Sequence, residues 1–277
     1  MSSWGPLDLG WLIWAGIVAL VEIQPKSKIE ERILEARAAR PDGAIACDGD
    51  GTVWSGDVGE DLFHALLESG AFRPPAHAQL RVEAREHGLD DGGTAREVAR
   101  RIYDAYLAHA FPEERVYELM AWAFAGWSRA EVALFAREVV ALTGLDERMH
   151  REVTETLAWA KSRGIETFLV SASPRAVVEE AAQRVGVAPS HVLAATPALD
   201  GETVLARVER PIPYGPGKVA AIRRAIGGRT LYAAFGDNAF DVAMLGEAKV
   251  AVAVRPKARL RDRAAEVPGL VEIAPIL

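Results

Sequence analysis

Short, mostly apolar runs alternate with amphipathic stretches along much of this chain. Residues 44–47, 165–170, 192–195, 231–235 and 250–254 are such runs, rich in Val, Ile, Leu, Phe and Ala. Bounded by turn residues, they read as strands buried on both faces. Helical spacing fills the intervals at 174–185, 218–226, 239–245 and 256–266. A further helix is expected over 28–40, with Ile29, Ile33, Leu34 and Ala38 on one side and Pro41-Asp42-Gly43 ending it. Strands alternating with helices predict an α/β chain whose parallel sheet is doubly wound, a Rossmann-like core. Residues 199–204, with Asp200-Gly201 at the turn, predict a small β-hairpin.

Residues 58–145 break the pattern. They hold no strand-like run and four or five amphipathic helices, separated by Pro74-Pro75, Gly92-Gly93, Pro112 and Gly126. Met120, Trp122, Phe124 and Trp127 cluster near the end, enough for the segment to have its own core. The expected division is a hydrophobic N-terminal segment (1–25), an α/β core (26–57 and 146–277) and an all-helical cap (58–145). The cap is inserted after the first core strand, and residues 146–163 return to the core as a helix.

Residues 9–21 carry no charge and lie between Asp8 and Glu22. Thirteen residues are short of the ~20 needed to span a bilayer. No Lys or Arg precedes them to form the basic region of a signal peptide. A non-targeting hydrophobic helix, an extended start outside the fold, a poor signal peptide and an anchor are the readings. Cytoplasmic location is the expectation, with export or N-terminal anchoring as alternatives. A net charge of −7 argues against nucleic acid as a partner. The single cysteine, Cys47, excludes an intrachain disulfide, and strand alternation points it away from its neighbour Asp48.

Candidate chemistry gathers where the predicted strands end. Asp48-Gly49-Asp50-Gly51-Thr52 follows the first run, so Asp48 and Asp50, two apart in extended chain, face one pocket. One carboxylate could attack phosphorus and hold a metal while the other handles protons. A Ca²⁺ loop starting at Asp48 would need Gly at its sixth position and Glu at its twelfth; Val53 and Gly59 stand there. Ser171-Ala172-Ser173-Pro174 follows the second run. Ser173 reads as a helix N-cap with Pro174 at the first helical position, which leaves Ser171 and the Ala172 N–H to cradle a phosphate oxygen at the helix start. Lys218 begins a helix after a Pro- and Gly-rich loop, where the macrodipole disfavours a cation unless an anion is near. Gly236-Asp237-Asn238-Ala239-Phe240-Asp241 follows the fourth run. Asp237 can ligate Mg²⁺, and Asp241, one turn later, can orient the ligands or pair with Lys218.

This ordered series, over residues 41–256, resembles the four motifs of the haloacid dehalogenase-like hydrolase superfamily. The resemblance is to its phosphatase branch, and the helical insertion is similar to the cap of the phosphoserine-phosphatase-like subgroup. It implies a Mg²⁺-dependent phosphatase acting on a small-molecule phosphomonoester through an aspartyl-phosphate. By it, Asp48 is the nucleophile and Asp50 the general acid, then base. Ser171, Ala172 and Lys218 bind phosphate, and Asp48, the Asp50 backbone carbonyl and Asp237 hold Mg²⁺. Dehalogenases generally lack the second Asp of the first motif, so Asp50 argues against that chemistry.

Three positions depart from the pattern. Ser171-Ala172-Ser173 stands where phosphoserine phosphatases often carry Ser-Gly-Gly, and Phe240 where many members place Asn. Asp57 takes the place of the Glu that meets a substrate amine, so an amino-bearing substrate is open. Glu60 and Asp61 could instead cap the first cap helix, and Arg100 could meet a substrate carboxylate. A phosphomutase and a non-catalytic phosphate-binding protein are the alternatives. The sequence leaves the oligomeric state open.

Overall fold

The computed structural model describes residues 21–276. The apolar run at residues 9–21 lies outside them except for Val21. Seven parallel strands form the central sheet, in the order β1 (Glu22–Gln24), β9 (Val271–Ile273), β8 (Val250–Ala253), β7 (Thr230–Gly236), β2 (Gly43–Cys47), β3 (Glu166–Pro174) and β4 (Val192–Ala195). The five expected core strands are all present. The outer pair β1 and β9, three residues each, is too short to show a period, and Glu22–Gln24 belong to the sheet rather than lying outside the fold.

Strand alternation explains the two layers. Ile45 and Cys47 face one side of the sheet, together with Ile29 and Ile33 of α1 (Lys26–Ala39) and Val153 and Leu157 of α7 (Arg151–Ser162). Ala44 and Ala46 face the other, against Ile222 of α9 (Pro216–Ile226) and Met244 of α10 (Val242–Glu247). From β2 the chain winds outward to β3 and β4, then crosses back to β7 on the opposite flank of β2. That reversal makes β2/β7 the switch point, and a crevice opens beyond the carboxyl ends of such strands. The register sets Cys47 beside Phe235, so Asp48 and Asp237 leave adjacent strands within two residues of a shared level.

Five helices fill the interval after β2: α2 (Val58–Ser69), α3 (Pro74–Glu86), α4 (Ala95–Leu107), α5 (Glu113–Trp122) and α6 (Arg129–Leu142). Thr94 and Ser128 begin α4 and α6 with reciprocal capping boxes to Glu97 and Glu131. Their apolar faces do not close off a separate core. Leu62, Phe63, Ile102, Val116 and Met120 join the same buried cluster as Ile45 and Leu169, so the core of the cap is continuous with that of the sheet. The hairpin of β5 (Pro197–Asp200) and β6 (Thr203–Val208) has the expected turn at Gly201 and hydrogen-bonds the cap through Gly126 N to Val204 O at 2.8 Å. Among the described residues no helix is long and apolar enough to cross a membrane.

Candidate active site

Asp48 emerges from the central strand, and its N–H continues the ladder to Phe235 O at 3.0 Å. Its side chain is buried, where an ionised carboxylate needs partners. Lys218 Nζ donates to Asp48 Oδ1 at 2.6 Å and to Asp241 Oδ1 at 2.5 Å, and Thr52 Oγ1 donates to Asp48 Oδ2 at 3.3 Å. Lys218 is wholly buried in the first turn of α9. Gly217 permits this, because a Cβ there would fall 1.9 Å from Ile212 O. Burial pushes the ammonium toward the neutral form, but the charges of Asp241 and Asp48 outweigh it and hold its pKa up. The anionic partner wanted at this helix start is therefore Asp48 with Asp241.

Asp241 also accepts from the backbone N–H groups of Asp237 and Asn238, both at 3.0 Å, through Oδ2. It thus shapes the loop after β7 while pairing with Lys218. The Phe240 ring lies 4.9 Å from Lys218 Nζ, a cation–π contact on the same ammonium.

Asp50 is held by four donors. Trp54 Nε1 and Val58 N donate to Oδ1, each at 2.8 Å, and Ser173 Oγ and Ser171 Oγ approach Oδ2 at 2.8 and 3.1 Å. Indole and amide N–H groups can only donate, whereas hydroxyls rotate to accept. Oδ2 is accordingly the oxygen of Asp50 that can carry a proton.

Ser173 corrects an expectation. β3 runs through to Pro174, and α8 (Arg175–Ala182) starts with Pro174 as a cap residue that makes no side-chain bond. Ser173 caps nothing; its hydroxyl reaches Asp50 and, at 3.3 Å, Asp57 Oδ1. Ser171 and Ala172 therefore lie at a strand end and line the cleft, not at a helix start. Asp57, rather than Glu60 or Asp61, caps α2, accepting from Glu60 N at 2.9 Å. Arg100 is exposed on α4 and is not among the cleft-lining residues, so it is not placed to meet a substrate.

The cleft has a volume of about 500 Å³, with Asp48, Asp50, Ser171 and Asp237 at its floor. Three lining groups carried no motif signal. Lys257 Nζ stands 2.8 Å from Asp237 Oδ2, Arg255 pairs with Glu152, and His150 Nδ1 lies 2.9 Å from Thr52 O. Arg255 and Lys257 follow β8, a strand end the sequence did mark, but no acidic or glycine-rich pattern singles them out.

The residues fit a cation. Asp48, Asp237 and Asp241 each bring a carboxylate oxygen within 4.8 Å of the others, an all-oxygen set suited to Mg²⁺. Both Asp237 oxygens are buried without an aligned hydrogen-bond donor, despite the ion pair with Lys257. Burial, then the charge of Asp241, pushes Asp237 up to about 6, and burial first holds Asp48 well above the carboxylate range. Asp241 is already committed to Lys218 and two N–H groups, which leaves Asp237, with both oxygens free of hydrogen bonds, and Asp48, whose Oδ2 carries only the long Thr52 bond, as the carboxylates with capacity for a cation. Gly51 keeps the approach open: its φ is +85°, and a Cβ there would sit 2.1 Å from Asp237 Oδ2.

In fold the chain is similar to a protein of unknown function from Bordetella pertussis Tohama I, at 20% identity and TM-score 0.65, covering 84% of this chain and 99% of that one. It is also similar to a substrate-bound phosphoserine phosphatase, at 16% identity and TM-score 0.50, covering 83% and 92%. A cytosolic 5'-nucleotidase IIIB bound to cytidine matches at 14% identity and TM-score 0.50, covering 91% and 88%. Comparison with curated proteins returns no match. The haloacid dehalogenase-like hydrolase family matches residues 45–246, well over half of the chain, a span that includes Asp48, Ser171, Lys218 and Asp237. The protein belongs to the haloacid dehalogenase-like hydrolase family.

Proposed function

We propose that the protein is a Mg²⁺-dependent phosphatase that hydrolyses a small-molecule phosphomonoester through an aspartyl-phosphate on Asp48. The observation that carries this reading is the pairing of a buried, lysine-bound Asp48 with a separately held Asp50 in one cleft. In the first step a carboxylate oxygen of Asp48 bonds to phosphorus and the ester P–O bond breaks. Asp50 gives the proton on Oδ2 to the departing oxygen. In the second step Asp50 takes a proton from water, the water oxygen bonds to phosphorus, and Asp48 leaves as the free carboxylate. Ser171 lines the cleft for the phosphoryl oxygens, with the Ala172 N–H beside it, while Lys218, buried behind Asp48 and outside the cleft lining, lends its charge from there. Asp48, Asp237 and the Asp50 backbone carbonyl would hold Mg²⁺, whose charge offsets that of the phosphoryl oxygens.

The core supplies phosphate and metal chemistry, and residues 58–145 are the candidate for selecting the leaving group. Asp57, Glu60, Tyr106 and Tyr117 line the cleft from the cap side. Purified protein given an aryl phosphate should release inorganic phosphate only with Mg²⁺, and Asp48→Asn should abolish release. Sustained turnover by Asp48→Asn would overturn the reading.

A further inference from the structure

The two ends of the cleft differ in how their acids are compensated. Where β2 and β7 finish, each buried carboxylate meets a cation: Lys218 serves Asp48 and Asp241, and Lys257 serves Asp237. At the cap end Asp50, Asp57 and Glu60 have hydrogen-bond donors but no cation within ion-pair distance among the described residues; only the more distant charges of His64, toward Glu60, and Lys257, toward Asp57, reach them. Burial first, then the charge of Asp50, holds Asp57 well above the carboxylate range; burial also raises Glu60, against the charge of His64 and a hydrogen bond with Tyr103. The remaining basic side chains of the cleft do not serve this end. Arg255 forks onto Glu152 at 2.8 and 3.2 Å, and His150 is bound to Thr52 O.

The cap helices present no Lys or Arg to the cleft. Their contributions are Glu60, Tyr106, Glu113 and Tyr117, of which Glu113 is already taken by Arg259 at 3.2 Å and the Tyr214 hydroxyl at 3.0 Å. An aromatic row also runs from cap to core. The rings of Tyr117 and Tyr214 lie 5.9 Å apart and those of Tyr214 and Phe240 5.3 Å, with Tyr117 and Phe240 both on the cleft wall. Unpaired acids beside aromatic rings are the surroundings an organic ammonium seeks.

Resting on the phosphatase reading above, we propose that the substrate is the phosphate ester of an amino alcohol. Its ammonium is seated by Asp57, Glu60 and the tyrosine rings, and its alcohol carries no carboxylate or second phosphate. The spacer is short, two or three carbons. Ser173 Oγ lies 2.8 Å from Asp50 Oδ2 and 3.3 Å from Asp57 Oδ1, so the acid that protonates the ester oxygen and the acid that meets the ammonium are separated by one hydroxyl. A carboxylate on the alcohol would face the same acids, which have no ion-pair partner, and Arg100 is exposed on α4 outside the cleft lining.

The test compares matched esters with Mg²⁺ and the full-length protein. 2-(Trimethylammonio)ethyl phosphate is set against its neutral isostere 3,3-dimethylbutyl phosphate, 2-aminoethyl phosphate against propyl phosphate, and phosphoserine against both ammonium esters. The expected kcat/KM favours each ammonium ester over its neutral partner by about tenfold or more, and over phosphoserine as well. Glu60→Gln and Tyr117→Leu should shrink the ratio of charged to neutral ester. Equal hydrolysis within each pair, or a preference for phosphoserine, overturns the substrate class while leaving the phosphatase reading intact. Failure to hydrolyse any ester, an aryl phosphate included, overturns the phosphatase reading and this one with it.

Discussion

Replacing Ser173 with alanine separates the two roles a serine can have at a strand–helix junction. As a helix cap it would contribute about 1 kcal/mol to stability and nothing to proton transfer. Its hydroxyl instead stands 2.8 Å from Asp50 Oδ2, with Ser171 a weaker partner at 3.1 Å. A hydrogen bond to a charged group contributes about 1.5–3 kcal/mol. Ser171 remains in the variant, so the lower end applies, and a cost of about 1.5 kcal/mol is roughly tenfold in rate. The cost should fall on the step in which Asp50 protonates the leaving oxygen. The assay is kcat/KM for an alkyl phosphate and for a nitrophenyl phosphate, whose leaving group departs without help from an acid. Ser173→Ala should lose about tenfold on the alkyl ester and far less on the aryl ester. Equal losses on both, or a fall in melting temperature with no kinetic change, would refute the argument that Ser173 holds the acid.

Other expectations follow from the same contacts. Lys218→Met leaves Asp48 and Asp241 buried without their cation, so the Mg²⁺-free protein should lose about 3–5 kcal/mol of stability, read as a lower urea midpoint; an unchanged midpoint would contradict the pairing. Mg²⁺ should raise the melting temperature of the wild-type protein and not that of Asp237→Asn, whose carboxylate has the free oxygens. Glu131 is held down at about 2, by Arg73 first and then by the Ser128 N–H and hydroxyl. Its folded value lies below the ordinary 4.5, so its stabilisation is present above that pH and lost as the pH falls toward 2. The melting-temperature difference between wild type and Glu131→Gln should therefore narrow from pH 6 to pH 3, and a constant difference would count against it.

The legible part of this protein is the part written in short-range pattern. Strands 44–47, 192–195 and 231–235 are continuous apolar runs, and acids placed after them must lie at one sheet edge whatever the loops do. Asp48 and Asp237 meet for that reason, and Lys218 joins them from the start of α9. Ser173 was obscured because Ser-Pro is also a helix-start signal, and only the strand's continuation to Pro174 shows which role holds. Lys257 and Arg255 carry no local signature; they matter through Asp237 and Glu152, which are distant in sequence or on another strand end. The cap's helices are readable from their period, but the continuity of their core with that of the sheet is not, since apolar stripes do not name their partner. Arg100 shows the converse: a helix arginine in a cap is a candidate by type, and its exposure on α4 is decided by tertiary packing.

The central claim is that Asp48 becomes covalently phosphorylated during turnover. Protein mixed with Mg²⁺ and a phosphate ester, quenched in acid within the first turnover and digested, should yield a hydroxylamine-labile phosphoryl group on the peptide containing Asp48. The same treatment of Asp48→Asn should yield none. Phosphate found on any other residue, or turnover by Asp48→Asn at the wild-type rate, would contradict the account.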